Sequence, residues 1–373
     1  MEQEALSVKH HLSAHLLTFV LAHMLMLILF PFSPGSPALG ESVVYILFSD
    51  LSDTFDAQIR LNLEPLLEAE DWYPISLSAS GSQWGEVDLA QTVAAGVPAA
   101  VCIEVCEYQS VSAAKAVALP FESRKIPVIF FGRAIAPSLD DTRTFLSEHA
   151  ICRYVNHDVY AIGTAQGTSI GQYLNAHYNA CDLNGDGVIS YVALQGDPSD
   201  PDAAARARTA VEAANEALSA AGHPALAWYD GSGLVALADP QCTWSADFAR
   251  NTLSTILKTH GPDSGQMIEL VICGNDDMAN GAVNALFHVG YNTDEDGSPA
   301  IPVYGVDGTL LAQELIRKGR MTGTVVRNPE AIAQTVCEAL KKLKDTEAFH
   351  VSDRLFSVPY RVLDASQMDD GTS

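Results

Sequence analysis

The feature that most constrains the fold is a regular alternation of apolar, β-rich runs with segments of helical periodicity. The apolar runs are continuous, which is typical of strands buried on both faces, as in parallel sheets covered by helices. The alternation therefore predicts an α/β fold with parallel sheets. At 373 residues, the chain has the length of about two domains.

The predicted strands and helices follow one another along most of the chain. Strands are predicted at Val43–Phe48, Ala99–Val105, Ile126–Phe131, Ile151–Val155, Ile189–Leu194, Ala225–Tyr229, Ile268–Ile272, Ile301–Val306 and Thr322–Val326. The predicted helices between them include Phe55–Glu68, Tyr160–His177, Asp202–Ala220, Ala246–Thr259, Asn275–His288, Leu310–Lys318 and Pro329–Leu343. The segment Leu355–Val362 is predicted as one more strand.

The composition excludes two classes of protein. Hydrophobic residues make up 48% of the chain, too many for a disordered acidic segment. The formal net charge of −25 argues against a nucleic-acid partner, because Lys and Arg neutralise phosphates in such complexes. An acidic globular protein is expected.

An apolar segment near the N-terminus predicts export. Leu16–Phe32 is almost purely apolar and precedes a turn-rich stretch with small residues at Ala38 and Gly40. This is typical of a secretory signal peptide, here residues 1–40 cleaved near Gly40, which places the protein in the periplasm or outside the cell. An uncleaved anchor is the alternative, although the run is shorter than a spanning helix prefers. No cysteine precedes Cys102, so a lipoprotein is not expected.

Polar residues follow most of the predicted strands. In open parallel sheets, ligands bind outside the carboxyl ends of the strands. We therefore expect the ligand-binding residues among these positions, which are Asp50–Phe55, Gly132–Arg133, Gly196–Asp202, Asn275–Asp277, Asp307 and Arg327–Asn328.

The most specific local motif is a loop with the ligand spacing of an EF-hand. Oxygen ligands are predicted at its positions 1, 3, 5, 7 and 9, which are Asp182, Asn184, Asp186, the Val188 carbonyl and Ser190. Position 12, where a bidentate glutamate is expected, is Ala193 inside an apolar strand. Either a distant carboxylate completes a calcium site, or the loop is a surface turn without metal.

Several segments of the chain resemble the periplasmic galactose/glucose-binding proteins, which are type I periplasmic sugar-binding proteins of ABC transporters. Residues 182–206 (DLNGDGVISYVALQGDPSDPDAAAR) are similar to the calcium loop, strand and sugar-binding turn of that family. Within residues 268–326, the stretches IELVICGNDDMANGAVNAL, IPVYGVDG and GRMTGTVV are similar to it in order and spacing. The resemblance extends from about Val43 to Asp364.

The resemblance implies two Rossmann-like lobes joined by a three-stranded hinge, with the ligand cleft between them. The lobes are predicted at residues 43–157 plus 328–354 and residues 158–327 plus 355–373. Hinge crossings are expected near His157–Asp158, Arg327–Asn328 and Arg354–Phe356.

The resemblance also implies a sugar site and a complete calcium site. A pyranose presents flat C–H faces that suit aromatic rings, and hydroxyls that suit carboxylates, amides and guanidinium groups. Phe55 and Trp244 match the two stacking aromatics of the family. The polar residues that contact the sugar in that family are matched by Asp53, Asp202, Arg206, Asn275 and Asp307. Glu269 matches the family's remote bidentate glutamate and would complete a structural Ca²⁺ site.

Three positions of the expected sugar site depart from the family pattern. Gly132 and Arg327 each stand where the family has an asparagine, and Asp200 stands where it has a histidine. A monosaccharide-sized polyol remains the expected ligand, with its identity open. In one alternative, Arg327 and Asp200 pair with each other or with Asp202 and only rigidify the cleft. In another, an acidic sugar docks on Arg327.

The predicted function is that of an exported substrate-binding protein of an ABC sugar importer, which binds a glucose- or galactose-like sugar by hinge closure. The expected partners are the monosaccharide, a membrane ABC permease and a chemoreceptor, and a monomer is expected. The alternative is a receptor that presents a sugar-derived signal to a membrane sensor. An enzyme is not expected, because the chain has no P-loop and nothing activates a nucleophile; Gly163–Gly167 only superficially resembles a phosphate loop and is predicted within a helix.

Overall fold

The computed structural model describes residues 42–262, 264–293, 295, 297–344 and 350–367, so the predicted signal peptide lies outside the described residues. None of the helices within these ranges combines the length and the apolar character that crossing a bilayer requires.

The first lobe is built on a six-stranded sheet. Its strands are β1 Val43–Phe48, β2 Tyr73–Ser78, β3 Ala100–Ile103, β4 Val128–Phe131, β5 Cys152–Asn156 and β12 Leu355–Ser357. They lie in the order β12–β5–β4–β3–β1–β2, and all neighbours run parallel. The helices of this lobe are α1 Thr54–Ala69, α2 Gln83–Ala95, α3 Val111–Glu122, α4 Leu139–Glu148 and α10 Pro329–Lys341.

The second lobe is built on a seven-stranded sheet. Its strands are β6 Ser190–Gln195, β7 Ala227–Trp228, β8 Leu237–Ala238, β9 Leu270–Cys273, β10 Val303–Val306, β11 Gly323–Arg327 and β13 Tyr360–Asp364. The order is β13–β11–β10–β9–β6–β7, with β8 also paired to β6, and only β13 runs antiparallel to its neighbour. The helices are α5 Val159–Cys181, α6 Pro201–Ala220, α7 Ala246–His260, α8 Asp276–His288 and α9 Leu310–Arg317.

The central strands are buried on both faces, which explains their continuous apolar sequences. In the first lobe, Val44 and Ile46 pack in one core with side chains of α1 and α10. Leu47 and Val101 pack on the other face with side chains of α2 and α3. The predicted α/β fold with two parallel-sheet lobes is confirmed.

The strand predictions differ from the structure in three places. The two-residue strand β8 was not predicted, because Leu237 and Ala238 form too short an apolar run to be seen in the sequence. Strand β2 was not predicted, because it is an edge strand whose residues are half-buried or exposed and so lacks a purely apolar sequence. The prediction of a single strand at Leu355–Val362 is wrong. That segment forms β12 and β13, which lie in different sheets. Residues 355–357 thus belong to the first sheet, whereas the prediction placed residues 355–373 in the second lobe.

Within the described residues, the chain passes between the two sheets three times. The crossings at His157–Asp158 and Arg327–Asn328 fall where they were predicted. The third lies at Val358–Pro359, beyond the predicted Arg354–Phe356, because β12 still pairs with β5. His157 Nδ1 lies 3.1 Å from the Val358 carbonyl oxygen, so the first and third crossings are in contact.

The glycine-rich stretch of the second lobe serves helix packing. Gly163, Gly167 and Gly171 all lie inside α5, as predicted for Gly163–Gly167, and face α6. A Cβ on Gly167 would lie 2.0 Å from the Ala210 carbonyl oxygen. The G-x-S-x-G spacing of residues 167–171 therefore reflects close contact of two helices, not the strand-to-helix turn of a nucleophile elbow.

Candidate ligand-binding site

A cavity of about 60 Å³ lies between the lobes, where the strands of both sheets end. All ten predicted ligand-binding residues line it: Asp53, Phe55, Gly132, Asp200, Asp202, Arg206, Trp244, Asn275, Asp307 and Arg327. The structure thus brings together residues that lie up to 274 positions apart in the numbering of the chain. Their contact with a ligand stays a prediction.

Further residues line the cavity that the sequence did not assign to the site: Asp56, Glu104, Tyr108, Arg133, Asn156, His157 and Ile162. A charged residue directly after a buried strand is the signal that marks Glu104. Arg133 was among the strand-end positions expected to hold ligand-binding residues, but it was not assigned to the sugar site. Asn156 is the last residue of β5 and His157 follows it, at a predicted hinge. Asp56 and Tyr108 carry no comparable signal.

In the first lobe, Arg133 lies between two carboxylates. Its Nε donates to Glu104 Oε1 at 3.1 Å, and its Nη2 is 3.8 Å from Asp56 Oδ2. Its guanidinium is 4.6 Å from the centroid of the Tyr108 ring. Gly132, with φ of +75°, lets the chain pass close to Glu104. Burial raises the pKa of Asp56 well above its usual range, and Glu104 adds to this while Arg133 opposes it.

In the second lobe, Arg327 pairs with Asp307. Arg327 Nε and Nη2 lie 2.7 and 2.6 Å from Asp307 Oδ1. The guanidinium also lies 3.9 Å from the centroid of the Phe55 ring, which belongs to the first lobe. The alternative that paired Arg327 with Asp200 or Asp202 is therefore wrong.

Three of the predicted ligand-binding residues also begin helices. Asp53, Asp200 and Asn275 are the N-caps of α1, α6 and α8, and their side-chain oxygens accept backbone N–H groups at 2.8 to 2.9 Å. Capping explains locally why Asp and Asn occur at these strand ends. Since these three helices begin at the cleft, their first N–H groups lie near the cavity.

Three buried polar atoms of residues that line the cavity have no hydrogen-bond partner within the described part of the chain, although one of them, Asp56 Oδ2, has the 3.8 Å contact with Arg133. They are His157 Nε2, Asp56 Oδ2 and Arg206 Nε. Burial, with Arg327 nearby, lowers the pKa of His157 to about 4, so the ring is neutral at pH 7. Because Nδ1 donates to the Val358 carbonyl, Nε2 is an acceptor. Buried atoms of this kind need a partner, and a hydroxyl can serve as donor or acceptor.

The lobes touch across the cleft. The Gln109 side-chain amide of the first lobe donates to Asp202 Oδ1 of the second. Thr54 Oγ1 donates to Asp277 Oδ2 at 3.1 Å, joining the first turns of α1 and α8. The structure therefore shows the closed arrangement of the two lobes.

Among the described residues that line the cavity, carboxylates outnumber guanidinium groups by six to three. The acidic residues are Asp53, Asp56, Glu104, Asp200, Asp202 and Asp307, and the basic ones are Arg133, Arg206 and Arg327. Arg327 and Arg133 are already paired with carboxylates. This balance disfavours an acidic sugar docked on Arg327.

The predicted calcium loop packs against Glu269, the remote residue that the resemblance assigned to it. Glu269 is fully buried, and its Oε1 accepts the N–H groups of Leu183 and Asn184 at 2.7 and 3.2 Å. Its Oε2 accepts the Ser190 N–H at 2.9 Å. Both oxygens of Asp182 accept N–H groups of the loop as well, at 2.9 and 3.0 Å.

The residues of this loop fit calcium in chemistry but not in their present arrangement. Oxygen donors are what Ca²⁺ prefers. Within the described residues, however, no three His, Cys, Asp or Glu side chains converge on a metal position. The Ser190 hydroxyl donates to the Met267 carbonyl, and Asp186 Oδ1 accepts the Val188 N–H. As described, the loop is held by hydrogen bonds from its amides to carboxylates.

The known family whose pattern fits this chain is described as a periplasmic binding protein domain, and it matches residues 44–348. This chain belongs to the periplasmic binding protein family. A periplasmic binding protein binds a solute and is not an enzyme, which agrees with the prediction from the sequence. Membership also places the chain among periplasmic proteins.

Three relatives show the range of this periplasmic binding protein's neighbours. The D-galactose/methyl-galactoside binding periplasmic protein MglB of Haemophilus influenzae is 29% identical over 255 residues, 67% of this chain and 68% of the relative. A xylitol-binding protein of Mycolicibacterium smegmatis is 29% identical over 114 residues, 30% of each chain. The crystal structure of an ABC transporter solute-binding protein from Actinobacillus succinogenes with bound D-allose shares the fold. Its TM-score is 0.67 at 21% identity, over 88% of this chain and 99% of that one.

Proposed function

We propose that this periplasmic binding protein binds a neutral, monosaccharide-sized polyol for an ABC sugar importer. The observation that carries the proposal is the closed cleft, in which residues of both lobes surround one cavity and leave buried hydrogen-bonding atoms without partners. Hydroxyl groups can satisfy His157 Nε2, Asp56 Oδ2 and Arg206 Nε at once, because each hydroxyl donates and accepts. The galactose-binding and xylitol-binding relatives support the same ligand class.

Hinge closure is the proposed mechanism. A ligand that contacts both lobes binds the closed form more tightly than the open one, and so shifts the population toward it. The three crossings at residues 157–158, 327–328 and 358–359 are short enough to serve as the hinge. A membrane permease would then recognise the closed form. Presentation to a chemoreceptor or another membrane sensor, and cleavage of the export signal near Gly40, stay predictions.

We also propose that the loop of residues 182–190 binds a structural Ca²⁺ ion. Its support is the spacing of the oxygen donors and the position of Glu269 against the loop. Binding would require Glu269 and Asp182 to exchange amide hydrogen bonds for the metal.

Calorimetric titration tests the proposed ligand class. We expect at least one of D-galactose, D-glucose and xylitol to bind the purified protein. Arg206→Ala should weaken that binding about 10- to 100-fold, because a buried charged hydrogen-bond donor is lost. Arg208→Ala, an exposed residue of the same helix that pairs with Glu212, is the control. Binding of amino acids or anions, with no response to any neutral sugar or polyol, would contradict the proposal.

A further inference from the structure

The ring of Phe55 is covered by a side chain of the protein itself. Arg327 Cζ lies 3.9 Å from the centroid of the ring, which is a close cation–π contact. The resemblance assigned this aromatic ring to stacking against a sugar. In the closed structure, the guanidinium lies on one face of the ring, at the distance at which a sugar stacked on that face would lie.

Arg327 is held in this position by its partner. Both Nε and Nη2 contact Asp307 Oδ1, and the Arg327 side chain is only 17% exposed. The two residues end neighbouring strands, since Asp307 follows β10 and Arg327 is the last residue of β11. Moving the guanidinium aside would leave the buried Asp307 carboxylate without this partner, which is strongly unfavourable.

The second expected stacking residue is also near a guanidinium. Arg206 Cζ lies 5.5 Å from the Trp244 ring. Trp244 is packed against the backbone, since a Cβ on Gly196 would lie 2.0 Å from the indole. The indole therefore has no room to shift toward Gly196.

We propose that Arg327 determines the ligand class by occupying the place of a stacked sugar ring on Phe55, so that the site selects open-chain polyols over pyranoses. This rests on the proposed function. A pyranose gains affinity from its flat apolar faces against aromatic rings. An open-chain polyol has no such face and loses little when Phe55 is covered. Its hydroxyls can still reach His157, Asp56 and Arg206, whose buried atoms need partners.

Parallel titrations with xylitol and D-galactose test this assignment. We expect the wild-type protein to bind xylitol at least tenfold more tightly than D-galactose. In the double variant R327N/D307N, which leaves no unpaired carboxylate, the ratio should move toward D-galactose at least tenfold. R327K is a second variant, which keeps the charge but not the planar group that covers the ring, and its ratio should also move toward D-galactose. R208N, on the exposed face of α6, is the matched control and should keep the wild-type ratio.

The outcomes separate the two proposals. If wild-type protein prefers D-galactose or any other pyranose to xylitol, or if the ratio is unchanged in a double variant with a normal thermal unfolding transition, Arg327 does not set the ligand class and the proposed function stands. If wild-type protein binds neither these compounds nor any other neutral sugar or polyol, the proposed function fails, and the role of Arg327 fails with it.

Discussion

Several carboxyl groups near the cleft are buried in places where ionisation is unfavourable. Burial raises the pKa of Glu86 to about 7 and the pKa of Asp276 to about 8. The pKa of Asp200 rises to about 6 for the same reason, with Arg206 opposing. A raised pKa means that the folded state holds its proton at a pH where the unfolded chain has released it. These groups therefore stabilise the fold most at low pH and lose that contribution as pH rises.

The substitution Glu86→Gln tests this at one residue. Glu86 is fully buried, accepts the Cys106 N–H at 3.1 Å, and lies near Glu104, which raises its pKa, and Arg133, which lowers it. Gln keeps an acceptor but cannot ionise. Between about pH 5 and 7, the free energy of unfolding should fall less steeply with pH, by at most about 1.4 kcal/mol per pH unit.

Thermal unfolding of the Glu86→Gln variant at pH 5 and pH 8 measures the effect. The variant should gain stability relative to wild type at pH 8, where wild-type Glu86 is ionised. Glu148→Gln, an exposed position at the end of α4, is the control. The same pH dependence in the Glu86→Gln variant and the wild type would show that Glu86 is not responsible.

Among the secondary-structure elements, the contact of α5 with α6 depends on glycine. Gly167→Ala places a methyl group 2.0 Å from the Ala210 carbonyl oxygen, so one helix must move. We expect a loss of about 1–3 kcal/mol in the free energy of unfolding, measured with denaturant. Gly96→Ala is the matched control: Gly96 ends α2 in αR geometry, and its Cβ meets only the Val93 carbonyl at 3.4 Å. Equal stability of both variants would contradict close packing at Gly167.

The proposed calcium site in the loop of residues 182–190, which precedes β6, can be tested by removing the metal. If Ca²⁺ binds there, a chelator should lower the unfolding temperature of the wild-type protein, and added calcium should restore it. Asp182→Asn should abolish the calcium response, because a charged ligand at position 1 is lost. Asp230→Asn, in an exposed turn of the same lobe, should keep it. An unfolding temperature that is independent of both chelator and calcium would show that the loop is a turn without metal.

For the whole molecule, closure depends on contacts that only the closed lobes make. Gln109→Ala removes the hydrogen bond to Asp202 across the cleft. It should weaken ligand affinity about 10-fold without changing the unfolding temperature of the ligand-free protein. Gln91→Ala, on the exposed face of α2, is the control. Small-angle scattering should show a smaller radius of gyration with saturating ligand. An unchanged radius would contradict hinge closure.

The sequence predicted much of the fold because the central strands are apolar on both faces. Their continuous apolar runs can be recognised in the sequence without knowledge of tertiary contacts. It missed β2, an edge strand with mixed exposure, and the two-residue strand β8, and it joined β12 to β13. The division of residues 355–364 between two sheets follows from pairing with β5 and β11, and pairing partners are distant in the chain.

The sequence by itself determined the class of the fold and the edge of the sheets at which the cleft lies, because strand ends in parallel sheets meet at one edge. Read with the family resemblance, it also predicted ten of the residues that line the cavity. The tertiary structure decided which charges meet. Arg327 pairs with Asp307 and covers Phe55, Arg133 lies between Glu104 and Asp56, and Glu269 accepts amides of the calcium loop. The physical reason is that side-chain pairing depends on which strands lie next to each other. Local hydrophobic periodicity predicts the strands but not their order in a sheet.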